Sequence, residues 1–400
     1  MNIHEKNRTI SSTWFEHHPG KTIALIIIAS FLVLDVLAAN AYKWIAGYPW
    51  SKSYQAVERS YRIRSLAYHH DLAKLKSVDN ARWGPIRYRV RTNSLGFKDN
   101  FMREVPLTSD KRRLVFMGDS FTEGVGLDYD HTFVGIIDSA LSSSRIEVLN
   151  AAVAGYSPIM YWRKVKYLIE DVGLKFDDLV VFPDLSDALD ETRYYLDDNG
   201  NVQEYGTKIF KTKDGTGEAV PNLPEGESPL IPGGLPHRLK EWFQDNTIAS
   251  FTVAELLDLM IVKFAAPKSY AINGELTYWT IDQKLHQALW REGFDRTELS
   301  MDKLFDLVEQ RHIKLYVAVF PSPDQIYYGD LDSIWVRFWR DWCQKHQVSF
   351  LDCFPVLVKG HTKEEREHII DRYYIRGDVH FNQAGHRLIA DAFLDFYRDH

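Results

Sequence analysis

Apolar residues along this chain fall into three kinds of pattern. The first is one long run: Thr22-Ile23-Ala24-Leu25-Ile26-Ile27-Ile28-Ala29-Ser30-Phe31-Leu32-Val33-Leu34, continuing past Asp35 to Ala41. Twenty helical residues span ~30 Å, the thickness of a bilayer's hydrocarbon core, so residues 22–41 read as a transmembrane helix. The second pattern is a set of short apolar runs at 113–118, 146–152, 179–183, 313–320 and 348–352. Bounded by turn residues, these read as buried strands. The third is a helical period over 131–143, 158–172, 299–311, 333–346 and 383–398. Short strands alternating with helices of that size predict a parallel sheet covered on both faces.

Other stretches fit around this frame. Residues 42–83 are mixed and basic-aromatic, a stalk expected to pack back on the main domain, which runs from 84 to 400. Ile86-Arg87-Tyr88-Arg89-Val90-Arg91 alternates with period two, as an edge or exposed strand does. An insertion at about 190–298 separates the third and fourth strands. It holds the turn Asp197-Asp198-Asn199-Gly200, a Pro/Gly-rich loop near 221–235 and an apolar-periodic helix around 250–264. Insertions at the carboxyl edge of such a sheet shape sites, so this one reads as a lid, not an independent domain.

Charge places the chain. A net charge of -7 with no basic stripe argues against a nucleic-acid partner. Lys6, Arg8 and Lys21 precede the apolar run, which favours a cytoplasmic tail over residues 1–21 and an exported remainder. Ala39-Asn40-Ala41 resembles a signal-peptide cleavage site, but the polar leader is long for a signal peptide, and an uncleaved anchor is the preferred reading. Asp35 is expensive in lipid and points to a partner helix or a hydrated position near the outer surface. The two cysteines, Cys343 and Cys353, form a disulfide if exported, or are two buried thiols.

Candidate chemistry gathers at the ends of the strands. Gly118-Asp119-Ser120 closes the first, and Asp378-Val379-His380 opens the last helix. A serine hydroxyl becomes a nucleophile when an imidazole takes its proton, and the imidazole needs an acid to fix its tautomer. Ser120 is the candidate nucleophile, His380 the base and Asp378 the acid. Oxyanion donors are the Ser120 amide, Gly155 after the second strand and Ser186 after the third. Asp187, beside Ser186, and Gln325, after the fourth strand, are the candidate substrate contacts. His69-His70-Asp71 is a poor metal site, because adjacent histidines point apart and no further ligands cluster with them. Trp335, Trp339 and Trp342 recur at helical spacing and read as core.

These blocks resemble the SGNH (GDSL-like) hydrolase superfamily over about residues 84–398. Gly118-Asp119-Ser120 with Gly124 matches the first block, Gly155 the second, and His380-Phe381-Asn382-Gln383-Ala384-Gly385-His386 the last; Asp184-Leu185-Ser186-Asp187 occupies the place of the third. The resemblance implies a flavodoxin-like three-layer α/β fold and acyl-ester chemistry without cofactor or metal. Thr92-Asn93-Ser94-Leu95-Gly96-Phe97 resembles a feature of membrane-anchored members associated with polysaccharide synthesis. Two departures stand out: Ser186 replaces the expected asparagine, and the acid lies two residues before the histidine, with Asp371 as a fallback. The expectation is a single-pass inner-membrane protein whose exported domain is a serine esterase or O-acyltransferase acting on acyl, most simply acetyl, esters of a carbohydrate. The alternative is a non-catalytic glycan-binding partner of a membrane-bound acyltransferase or polysaccharide export complex.

Overall fold

Strands covered on both faces are apolar at most positions, and the five runs approach this, with Glu147 and Asn150 in the second and Ser349 and Asp352 in the fifth among the polar exceptions. In a computed structural model, which describes residues 18–84, 86–205, 242–264, 278–281, 291–357 and 362–399, all five are strands of one sheet. Lys6, Arg8 and the loop near 221–235 lie outside the described residues. Four short strands come first: β1 (Arg62–Ser65) pairs antiparallel with β2 (His69–Leu72), and β3 (Ser77–Trp83) with β4 (Ile86–Arg91). The central sheet comprises β5 (Arg112–Gly118), β6 (Ile146–Asn150) and β7 (Asp178–Phe182), then, beyond the hairpin β8 (Tyr194–Leu196) and β9 (Val202–Glu204), β10 (Lys314–Val319) and β11 (Ser349–Asp352).

The sheet order is β11-β10-β7-β5-β6, and every pair is parallel. Among the core strands in chain order this reads second, first, third, fourth, fifth: the flavodoxin order, with its switch point between β5 and β7. Successive side chains of a strand point to opposite faces, and β5 follows that rule. Leu114 and Phe116 enter one core with Phe133, Phe182 and Phe393, while Val115 and Met117 enter the other with Tyr161, Trp335 and Trp339. Helices Phe133–Leu141 and Gln383–Arg398 cover the first face; Pro158–Tyr167, Arg291–Gln310 and Ile334–His346 cover the second. The result is three layers.

Helix Arg291–Gln310 starts well before the expected residue 299. Gly293 discourages a helix by propensity, yet a Cβ there would lie 1.8 Å from the Ala188 carbonyl oxygen. The glycine therefore permits the close crossing with helix Asp187–Arg193. The tract read as a stalk is richer than its composition suggests. Tyr61, Tyr68, Leu72, Val78 and Ala81 are all buried in the second core. Cys343 and Cys353 are both buried free thiols.

The chain divides into two compact units. The larger, Val57–Glu225 with Val262–His400, holds the sheet. The smaller, Met1–Ala56 with Gly226–Ile261, contains the apolar helix Pro19–Ala46, whose 28 residues are enough to cross a membrane.

Candidate active site

β5 ends at Gly118, and Asp119 caps the short helix Ser120–Glu123 by accepting the Phe121 amide at 3.0 Å. Ser120 thus sits at the carboxyl end of the first core strand, beside the switch point, where open α/β sheets place ligands. Its amide is among the first four of the helix, which have no intrahelical acceptor. Its Oγ lies 2.8 Å from His380 Nε2 and 3.0 Å from Asp119 Oδ2.

On the other side of the imidazole, Asp378 Oδ1 lies 2.5 Å from His380 Nδ1 and accepts the His380 amide at 3.0 Å. Asp378, not Asp371, therefore holds the ring. The short spacing is made possible by a turn: the Asp378 amide donates to the Ile375 carbonyl at 3.0 Å, with Gly377 at φ 78° in the left-handed region. The other carboxylate oxygen, Asp378 Oδ2, accepts the indole N–H of Trp83 at 2.8 Å. Burial alone would raise the Asp378 pKa, but the bonds and charge of His380 and the Trp83 bond outweigh it and hold the group below the usual carboxylate range. The imidazole is packed between Trp83, at 4.7 Å edge-to-face, and Phe121, at 4.6 Å.

The remaining residues of the last block have structural work. Asn382 caps helix Gln383–Arg398 by accepting the Ala384 and Gly385 amides, and its Nδ2 donates to the carbonyls of Arg372 and Tyr374. That fixes the loop carrying Asp378 and His380 from both sides. His386 Nδ1 accepts the Phe133 amide at 3.0 Å, and burial, with lesser effects of Lys98 and His380, drives its pKa down to about 3.

A cluster of carboxylates lies beside the serine. Asp184 Oδ1 accepts the amide and the hydroxyl of Ser186, both at 2.8 Å. Asp187 is fully buried and accepts the Tyr161 hydroxyl at 3.0 Å. Burial first, then the charge of Asp184, pushes both Asp119 and Asp187 well above the usual carboxylate range.

A cavity of about 140 Å³ opens over this arrangement, lined by Asp119, Ser120, Phe121, Asp184, Leu185, Ser186, Phe320, Ser322, Val379 and His380. Gly155, Asp187 and Gln325 are not in its wall. Gly155 turns beside His70, in a loop whose Ala154 amide donates to Glu123 Oε2 at 2.7 Å. Glu123 in turn receives Arg62 in a two-pronged pair at 2.9 and 2.8 Å, tying the loops after β5 and β6 to β1. Gln325 completes a capping box with Ser322 and donates to Ser333 Oγ at 2.7 Å. His70 Nε2 lies 2.9 Å from the Ala154 carbonyl oxygen, and among the described residues no group of three or more metal-ligating side chains forms.

Sequence reasoning missed Trp83, the Asp119 contact to the serine hydroxyl, and the Arg62–Glu123 tie. Trp83 ends β3, 295 residues from Asp378, and nothing local in the sequence marks it as part of a site.

No family model matches this chain, and no curated protein matches it. Solved structures do align with it. A GDSL-like lipase from Bacteroides thetaiotaomicron is 10% identical, with 74% of this chain and 93% of that chain covered at a TM-score of 0.35. A psychrotrophic esterase from a Pseudoalteromonas species is 8% identical, covering 72% and 98% at a TM-score of 0.36. A catalytic mutant of an acetylxylan esterase from Geobacillus stearothermophilus is 12% identical, covering 73% and 96% at 0.34. The fold assignment rests instead on the chain's own strand order and two-faced core.

Proposed function

We propose that this chain is an SGNH-type serine ester hydrolase or O-acyltransferase, held at a membrane by residues 22–41, and that it acts on a short acyl group, most simply acetyl, borne by a carbohydrate. One observation carries the reading: Ser120 Oγ, the two ring nitrogens of His380 and the Asp378 carboxylate form one continuous line of hydrogen bonds at the carboxyl edge of a parallel sheet. No cofactor or metal enters the scheme.

His380 Nε2 takes the Ser120 proton as Oγ bonds to the acyl carbon. Asp378 keeps the Nδ1 proton in place and balances the imidazolium charge. Developing negative charge on the acyl oxygen falls near the Ser120 amide, and the Ser186 hydroxyl lies in the same wall. The imidazolium then returns its proton to the departing sugar oxygen, leaving an acyl-Ser120 ester. Water or a second sugar hydroxyl, deprotonated by the same nitrogen, resolves it. The small cavity suits a short acyl group with the glycan outside. Hydrolysis of p-nitrophenyl acetate by the full chain and by Ser120→Ala tests the scheme: loss of turnover in the variant is expected, and unchanged turnover removes Ser120 from it.

A second reading is a non-catalytic glycan-binding partner of a membrane-bound acyltransferase. It is favoured by one feature: Ser186 gives both its amide and its hydroxyl to Asp184, so neither is directed at an incoming acyl oxygen. A folded protein whose Ser120 does not react with a fluorophosphonate, and which co-purifies with a membrane acyltransferase, would decide for it.

A further inference from the structure

Asp35 stands six residues inside the outer end of the 22–41 run (41 − 35), or ~9 Å along a helix rising 1.5 Å per residue. A carboxylate at that depth needs partners, and the smaller unit supplies them from far along the sequence. Asp35 Oδ1 accepts the amides of Ile248 at 2.9 Å and Ala249 at 2.8 Å, and Oδ2 accepts that of Ser250 at 2.9 Å. Those are the opening amides of helix Ala249–Phe264. A helix that begins within hydrocarbon has no water for such donors, so the carboxylate and the helix start each satisfy what lipid leaves unsatisfied in the other.

Beyond that first turn the helix keeps an apolar side open. Val253, Leu256 and Leu257 are each more than half exposed, at 54%, 52% and 54%. They fall on one arc by helical period. The anchor presents the same kind of surface: Ile26, Ile27, Phe31, Val33, Leu34 and Leu37 are exposed along it. Lipid covers such a surface on the anchor, and the helix starts at the level of Asp35.

We infer that helix Ala249–Phe264 is a second membrane-embedded element, docked on the anchor through Asp35, with Val253, Leu256 and Leu257 against lipid acyl chains. It lies in the bilayer as an interfacial helix. The chain thus grips the membrane with two elements, and part of the insertion between β9 and β10 is membrane-bound. This rests on the anchor being retained, as proposed above.

The test uses the full chain in phosphatidylethanolamine/phosphatidylglycerol vesicles. Nitroxide labels go on Val253→Cys, Leu256→Cys and Leu257→Cys, with Phe101→Cys, exposed in the larger unit, as the aqueous reference. The native Cys343 and Cys353 are buried, and the unsubstituted chain gives the labelling background. Collision with oxygen over a water-soluble nickel chelate is expected at 253, 256 and 257, and the reverse at 101. Asp35→Leu keeps the anchor apolar but removes the cap; nickel access at 257 should then rise ~5-fold, the shift that loss of a helix cap produces. Intact mass and carbonate extraction run in parallel. An intact, carbonate-resistant chain with nickel access at 253 and 257 equal to that at 101 overturns the inference and leaves the anchor standing. So does protection from both reagents, which would mean a protein occupant, or unchanged access in Asp35→Leu. Cleavage before residue 42 removes Asp35 and overturns both. Turnover of p-nitrophenyl acetate reports separately on the esterase reading.

Discussion

Trp83→Phe is the substitution that tests how the acid is held. The indole N–H donates to Asp378 Oδ2 at 2.8 Å, while Oδ1 takes the ring and amide of His380. Phenylalanine keeps an aromatic ring against the imidazole and removes the donor alone. A hydrogen bond to a charged group contributes ~1.5–3 kcal/mol. The Asp378 side chain is 26% exposed, so water recovers part of that. The net loss is then ~1–1.5 kcal/mol, which lowers kcat by ~5- to 10-fold where the bond steadies the transition state. Steady-state hydrolysis of p-nitrophenyl acetate separates kcat from KM, and KM should stay put because Trp83 is not in the cavity wall. A second readout follows from linkage. The depressed Asp378 pKa stabilises the fold above the ordinary carboxylate range, and that stabilisation is lost as pH falls through the folded-state value. Without the indole bond the folded-state pKa rises, so acid unfolding should begin at higher pH. An unchanged kcat together with an unchanged acid midpoint would refute the positioning role.

Three other outcomes follow from the same geometry. Asp378→Asn should lower kcat by ~10⁴-fold, far beyond what its accompanying loss of urea stability accounts for, because the neutral amide neither fixes the tautomer nor balances the imidazolium. Asn382→Ala should lower unfolding stability by ~2 kcal/mol in urea titrations, since it removes a cap and two bonds to the Arg372 and Tyr374 carbonyls. Asp187 has a folded-state pKa raised by burial and then by Asp184, so the folded chain holds protons the unfolded chain releases, and stability falls as pH rises from the unfolded carboxylate value through the folded one. Asp187→Asn should flatten that fall in urea midpoints measured across pH, and an unaltered slope would show that Asp187 is not its source.

What could be read in advance was whatever depends on local pattern. β5, β7 and β10 are buried on nearly every residue, so uninterrupted apolar runs marked them within a residue or two. Trp335, Trp339 and Trp342 at helical spacing are buried core. Ser120, His380 and Asp378 were legible because each flanks such an element, and the structure brings the three together. The Asp-x-His spacing looked anomalous until Gly377 supplied the tight turn that folds Asp378 back under the ring. Contacts between distant segments were illegible. Trp83 reaches Asp378 and Asp35 reaches Ile248, pairings that no periodicity encodes. Polar residues at strand ends were ambiguous for a related reason: Asp187 and Gln325 have the composition of site residues but turn inward to Tyr161 and Ser333. The period-two alternation of Ile86–Arg91 marked β4, whereas β1, β2 and β3 hid because their charged and histidine positions break any apolar pattern, even though Leu72, Val78 and Ala81 are buried.

The central claim is that Ser120 is activated by His380. Reaction of the folded full chain with a fluorophosphonate, read by mass spectrometry of the peptide containing residue 120, measures that directly. The account predicts a phosphonate adduct on Ser120, absent in Ser120→Ala and sharply slowed in His380→Ala. An unmodified Ser120 in the folded protein, or equal labelling with and without the imidazole, would contradict it.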